Sequence, residues 1–282
     1  MISRNKEVLR MKTLYVSDLD GTLLRSDERT SDFTNQTINR LVEKGVMFSY
    51  ATARSFHTSH KVTAGLNARI PLITYNGCMV VDNTDGSFLL KNFFGPEIRD
   101  VTEDLFAHNV YPIAYGFVNG AETFSFLPEK SSAAVLAFNE TRKGDRRCRM
   151  VATENELMAG ELFYLTCIDA AEKLLPLYEK YRDRFHCVYQ IDLYSGEPWL
   201  EFLPKAASKA SAIRQLKEKL GYEKLVVFGD GKNDVEMFDL ADEAYAVANA
   251  VPELQKRATA VIGSNNEDGV ARWLAQHAQI WE

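Results

Sequence analysis

Residues 15–24 read YVSDLDGTLL: an apolar run, then two aspartates one residue apart, Asp18 and Asp20, then Gly21 and Thr22. A buried strand should not end on two like charges unless something there uses them. The flanking sequence shows the same design twice more. Residues 46–54 (VMFSYATAR) end in Thr52 and Arg54, and residues 71–77 (PLITYNG) form a third apolar run. Helical stretches separate the three. In the first, Ser31 or Thr34 can cap a helix that places Ile38, Leu41 and Val42 on one face and stops at Gly45. The second is SFHTSHKVTAGLN. Strand and helix alternate, which predicts βαβ units and a parallel sheet.

From about Asp82 the pattern changes to longer aromatic strands with hairpin turns. Residues 97–128 and 170–204 each read as helix, strand, tight turn (Asn119-Gly120 and Ser195-Gly196), strand, and each ends in Phe-Leu-Pro. Asn-Gly between apolar runs is a strong hairpin signal. Two such α-β-β units predict an antiparallel sheet with helices on one face. Alternation returns after about Pro204, with strands expected in KLVVFG, EAYAV and TAVIG, and helices in SKASAIRQLKEKL, NDVEMFDLA, VPELQKRA and DGVARWLAQHAQ. The fold expected is therefore α/β, a Rossmann-like parallel-sheet core interrupted by an inserted α+β module. The core is placed at 1–82 and 201–282 and the insert at 83–200. The ten residues before Met11 read as an extension outside the fold.

Bulk properties narrow the function. The chain has 282 residues, 46% hydrophobic and 26% charged, with a net charge of −6. No basic face stands out, which argues against a nucleic-acid or anionic-membrane partner. No run of about 18 apolar residues predicts a spanning helix, and the N-terminus lacks a leader's apolar stretch. Four unpatterned cysteines read as small apolar residues in a reducing compartment, so a cytoplasmic location is expected. Oligomeric state is left open.

In an open parallel sheet, ligands bind beyond the carboxyl ends of the strands. Asp18, Asp20, Thr52, Arg54 and Asp230, with Asn233 and Asp234 just behind it, all follow apolar strands. If those ends share an edge, four carboxylates converge, and like charges so close need protons or a cation. An all-oxygen set suits a hard ion, and Mg²⁺ best, because it keeps waters for a phosphate-bearing substrate. One aspartate can then attack a phosphoryl group, while the other protonates the leaving oxygen and later deprotonates water. Thr52 offers a hydroxyl to a phosphate oxygen and Lys209 a positive charge. Gly21 and Gly231 allow close backbone approach.

The segments DLDGTLL, ATARS, SKA and GDGKND, in that order, resemble those of the haloacid dehalogenase (HAD) superfamily. The module inserted after TYNG resembles the cap of its Cof-type subgroup, type IIB. The resemblance runs from Met11 to the end. It implies a HAD-like core, a Mg²⁺-dependent phosphatase, and a small phosphorylated metabolite, often a sugar phosphate. It implies Asp18 as nucleophile and Asp20 as acid and base. Thr52, Arg54, Lys209 and Asn233 would lie at the phosphate. Asp18, the Asp20 carbonyl and Asp230 would hold the metal, supported by Asp234. Thr52-Ala53-Arg54 departs from the usual Thr-Gly-Arg, Ala210 replaces a glycine, and Ala206-Ala207 replaces Gly-Val. None of these changes removes a reacting group.

Other features have plainer readings. His57 and His60 belong on a solvated helix face. The five basic residues in Arg142–Arg149 read as a solvated loop, or more sharply as a contact to an anionic part of the substrate. Trp199 lines the interface between core and insert, or only fills it. A phosphomutase on the same core would need a second anion site in the insert, and this basic run is the only hint of one. A non-catalytic regulatory protein would not need the full set of reacting groups.

Overall fold

The computed structural model describes residues 11–191 and 195–280. The extension expected at 1–10 lies outside them, as do residues 192–194 in the second expected turn. Two compact units emerge, one from residues 11–90 with 209–280, the other from 91–208. The divisions expected at 82/83 and 200/201 thus fall eight residues later at each crossing, for a reason given below.

In the first unit the chain runs β1 (Thr13–Asp18), α1 (Asp32–Glu43), β2 (Met47–Ala51), α2 (Phe56–Val62), β3 (Pro71–Thr74), β4 (Met79–Asp82) and β5 (Phe88–Lys91). All six β1 residues are buried, as expected for a strand covered on both faces. Ser31 caps α1, its hydroxyl accepting from the Thr34 N–H at 3.0 Å. Ile38 and Leu41 face the core. Gly45, just past the helix, has φ +84°.

The inserted unit contains α3 (Ile98–Ala107), β6 (Ile113–Val118), β7 (Ala121–Phe126), α4 (Ala133–Glu140), β8 (Cys148–Met150), α5 (Glu154–Leu157), β9 (Glu161–Ile168), α6 (Ala171–Tyr181), β10 (His186–Ile191) and β11 (Pro198–Leu203). The sheet order is β10-β11-β9-β6-β7-β8. Its pairs are antiparallel except β7 with β8. Asn119 and Gly120 form the predicted two-residue hairpin turn, with φ +50° and +79°. Helices were expected on one face only. Leu165, Cys167, Leu200 and Phe202 do join residues of α3 and α6 in one core. Trp199, next to Leu200 and so on the opposite face, meets Phe138 of α4 with ring centroids 5.0 Å apart. A helix therefore covers part of each face. An α-β-β repeat cannot reveal this, because α4 lies between the repeats.

The chain returns to the first unit through α7 (Lys209–Leu220), β12 (Lys224–Gly229), α8 (Val235–Leu240), β13 (Glu243–Val247), α9 (Pro252–Arg257), β14 (Ala260–Ile262) and α10 (Gly269–His277). The sheet order there is β14-β13-β12-β1-β2-β3-β4-β5. From β14 to β3 every pair is parallel, and β4 then runs antiparallel to β3. The boundary shifts follow. β5 extends the first sheet, so the first unit continues to Leu90, while β11 sits inside the second sheet, so the insert continues to Ser208. In the first unit α1 packs on α10, and α7 packs on α8. Strand order reverses direction at β1, and such a switch point leaves a crevice at the strands' carboxyl ends.

Candidate active site

Register brings the polar strand ends together. Ser17 pairs with Phe228, Asp18 with Ala51, and Ala51 with Ile73. Asp18, Thr52 and Asp230 therefore leave neighbouring parallel strands at one edge. The Asp18, Asp230 and Asp234 carboxylates each place an oxygen within 4.8 Å of the other two.

Beyond Asp18 the chain makes one wide turn, Leu19–Leu23, closed by the Leu24 N–H donating to the Leu19 carbonyl at 2.9 Å. Gly21 has φ +77°, and a Cβ there would lie 2.3 Å from Asp230 Oδ2. Only glycine gives both the backbone turn and the room. The Thr22 hydroxyl donates to Asp230 Oδ1 at 3.1 Å. Asn249, just past β13, donates to the Gly21 carbonyl at 2.7 Å. Thr22, Asn249 and Glu28, which holds Arg54, were absent from the sequence-based set. Asn249 carries the signal that marked the others, a polar residue following a parallel strand.

Lys209, the first residue of α7, is buried and donates to Asp18 Oδ1 at 2.5 Å and to Asp234 Oδ1 at 2.7 Å. Asp234 is fully buried, and its Oδ2 accepts from the Asp230 and Gly231 N–H groups at 3.1 Å each. It braces the turn that presents Asp230. Asn233 is exposed beside Gly231. Thr52 is buried, its hydroxyl accepting from the Arg54 N–H at 3.1 Å. Arg54, expected at the phosphate, grips Asp20, with Nη2 2.6 Å from Oδ1 and Nε 2.9 Å from Oδ2. The acidic set thus divides: Asp18, Asp230 and Asp234 cluster, while Asp20 pairs with an arginine.

The electrostatics show what the cluster needs. Burial, opposed by Lys209, pushes the Asp18 carboxyl well above its ordinary range, and Asp234 and Asp230 add to the rise. Burial, then the charge of Asp234, raises Asp230 to about 6. Burial alone would lower Lys209, but Asp18 and Asp234 outweigh it and the net shift is upward. One ammonium faces three clustered carboxylates. Oxygen donors, burial and excess negative charge together fit a small divalent cation.

Elsewhere, His57 and His60 are exposed, as expected. The basic run spends much of its charge locally. Arg147 pairs with Glu122 at 2.7 Å and Asp145 at 2.8 Å, Arg149 donates to Ser125 Oγ at 3.0 Å, and Arg142 stacks on Phe138. Cys78 and Cys167 are buried, and all four cysteines are free thiols. No helix among the described residues is long and apolar enough to cross a membrane.

Comparison with known proteins finds similarity over nearly the whole chain. The model of the haloacid dehalogenase-like hydrolase family matches residues 15–274. The chain is 27% identical to the 5-amino-6-(5-phospho-D-ribitylamino)uracil phosphatase YitU of Bacillus subtilis, over 95% of this chain and 98% of that one. It is 28% identical to the HMP-PP phosphatase of Serratia proteamaculans, over 95% of each. The crystal structure of TM0651 from Thermotoga maritima superposes with a TM-score of 0.75 at 27% identity, covering 95% of this chain and 98% of that one.

Proposed function

This chain belongs to the haloacid dehalogenase-like hydrolases and is a phosphatase, and from that premise we propose that it hydrolyses a small phosphorylated metabolite, a sugar phosphate or related ester, through an aspartyl-phosphate at Asp18. One observation carries the reading: three strand-end carboxylates gathered within 4.8 Å, with Lys209 bonded to two of them.

Asp18 attacks phosphorus, the bond to the ester oxygen breaks, and Asp20 gives that oxygen a proton. Water then attacks phosphorus, Asp20 takes a proton from it, the bond to Asp18 breaks to restore its carboxylate, and inorganic phosphate leaves. Lys209 orients Asp18 and offsets part of the negative charge that phosphate brings. The Thr52 hydroxyl donates to a phosphate oxygen, and Asn233 lies at the mouth of the turn to contact it. Asp18, the Asp20 carbonyl and Asp230 would hold Mg²⁺, with Asp234 bracing Asp230. Mg²⁺ would supply charge neutralisation that lets an anionic nucleophile meet an anionic ester. The reducing, cytoplasmic setting expected from the sequence suits a metabolite substrate.

The two relatives act on a phosphoribitylamino-uracil and on HMP-PP, so the test panel includes both with a set of sugar phosphates. The expected result is phosphate release that needs Mg²⁺, is lost with chelator, and is absent in Asp18→Asn. Release by Asp18→Asn at the native rate overturns the covalent route.

A further inference from the structure

Asp20 stands in the turn after β1, its side chain 41% accessible. An acid in that position has several rotamers. The loop that follows β2 selects one. Arg54 Nε lies 2.9 and 3.1 Å from the two Asp20 oxygens, and Nη2 lies 2.6 Å from Oδ1. The arginine is itself held. Its N–H donates to Thr52 Oγ1 at 3.1 Å, and its carbonyl accepts from the Tyr75 N–H at 3.0 Å. The next residue, Ser55, caps α2 by accepting from the Thr58 N–H at 3.1 Å.

A second carboxylate braces the guanidinium. Glu28 Oε2 lies 3.1 Å from Arg54 Nη2. Glu28 takes a left-handed backbone, φ +57°, uncommon for a residue with a side chain. Its loop is tied down at both levels: the Glu28 N–H donates to the Arg25 carbonyl at 3.0 Å, and the Ser26 N–H donates to Asn266 Oδ1 at 2.9 Å. Glu28, Arg54 and Asp20 thus form one chain of charge-assisted bonds from three separate segments.

We infer that Arg54 is the positioning residue for Asp20, with Glu28 as its brace, and that it is not a phosphate ligand. A carboxylate has about four acceptor sites, so the clamp fixes its plane and leaves sites for the proton it gives and takes. This inference rests on the phosphatase reading, in which Asp20 is the acid.

Positioning an acid and binding a phosphate give different kinetics. Nitrophenolate departs without a proton, whereas an alcohol needs one. The ratio of kcat/KM for glycerol phosphate to that for p-nitrophenyl phosphate therefore isolates the contribution of Asp20 to the first step. In Arg54→Gln the alkyl ester should lose about 100-fold, within the range for general acids. The aryl ester should lose under about tenfold, and inhibition by inorganic phosphate should stay unchanged. Arg54→Lys should resemble Arg54→Gln, because an ammonium cannot make the two-nitrogen clamp. Glu28→Gln should shift the same ratio less, and it serves alone if Arg54 variants do not fold. An equal loss on both esters with weakened phosphate inhibition, or an unchanged ratio in the folded variants, overturns the inference. If instead the native protein with Mg²⁺ releases phosphate from neither ester nor the metabolite panel, the phosphatase reading itself fails.

Discussion

Replacing Asp230 by Asn should stabilise the metal-free protein while destroying its function. Burial and the neighbouring Asp234 raise the Asp230 carboxyl from 3.8 to about 6. A group so shifted binds its proton more tightly folded than unfolded. The contribution of Asp230 is therefore most favourable below about pH 4, falls as pH rises through the interval to about 6, and carries the full penalty above it. That penalty is about 3 kcal/mol at neutral pH. Asparagine has no charge to desolvate, yet its Oδ1 can still accept from the Thr22 hydroxyl at 3.1 Å. At 2–4 °C per kcal/mol for a unit of this size, metal-free Asp230→Asn should melt about 6–12 °C above the native protein at pH 7.5. The assay is thermal unfolding in chelator from pH 4 to 8. The gap should close near pH 4. It should also narrow in saturating Mg²⁺, which at 100 times its dissociation constant returns about 2.7 kcal/mol to a protein that binds it. A variant that melts below the native protein at pH 7.5 in chelator, or a gap that does not depend on pH, refutes the claim that crowded charge opposes folding here.

Other substitutions test the remaining parts. Lys209→Met leaves the buried Asp18 and Asp234 without their cation, and should cost about 3–5 kcal/mol by urea unfolding at pH 7.5. The loss should shrink at pH 5, because Asp18 takes up a proton more readily than usual. Gly21→Ala puts a Cβ 2.3 Å from Asp230 Oδ2 at φ +77°; it should cost at least about 1 kcal/mol by thermal unfolding and lower kcat. Ser31→Ala removes the cap of α1 and should cost about 1 kcal/mol by denaturant titration while leaving kcat/KM unchanged.

Much of the candidate site was legible because its residues follow apolar strands. Asp18, Thr52 and Asp230 could be placed on one edge once the strands were taken as parallel, and the register of β1 with β2 and β12 puts them there. Arg54 was visible as a cation near an expected phosphate, but nothing local shows that Asp20, thirty-four residues earlier, takes its guanidinium. Glu28 had no signal at all, since its role depends on a left-handed loop residue. The domain boundaries slipped because a boundary follows from which sheet a strand joins, and neither β5 nor β11 carries a local mark of its sheet.

Sequence alone indicated where the parallel strands of the core and their polar ends would fall, because periodicity, glycine placement and side-chain chemistry act over a few residues. Tertiary structure decided which charges meet. Lys209 lies 191 residues from Asp18 yet bonds it at 2.5 Å, and Coulomb energy depends on that separation in space, which folding sets and chain distance does not.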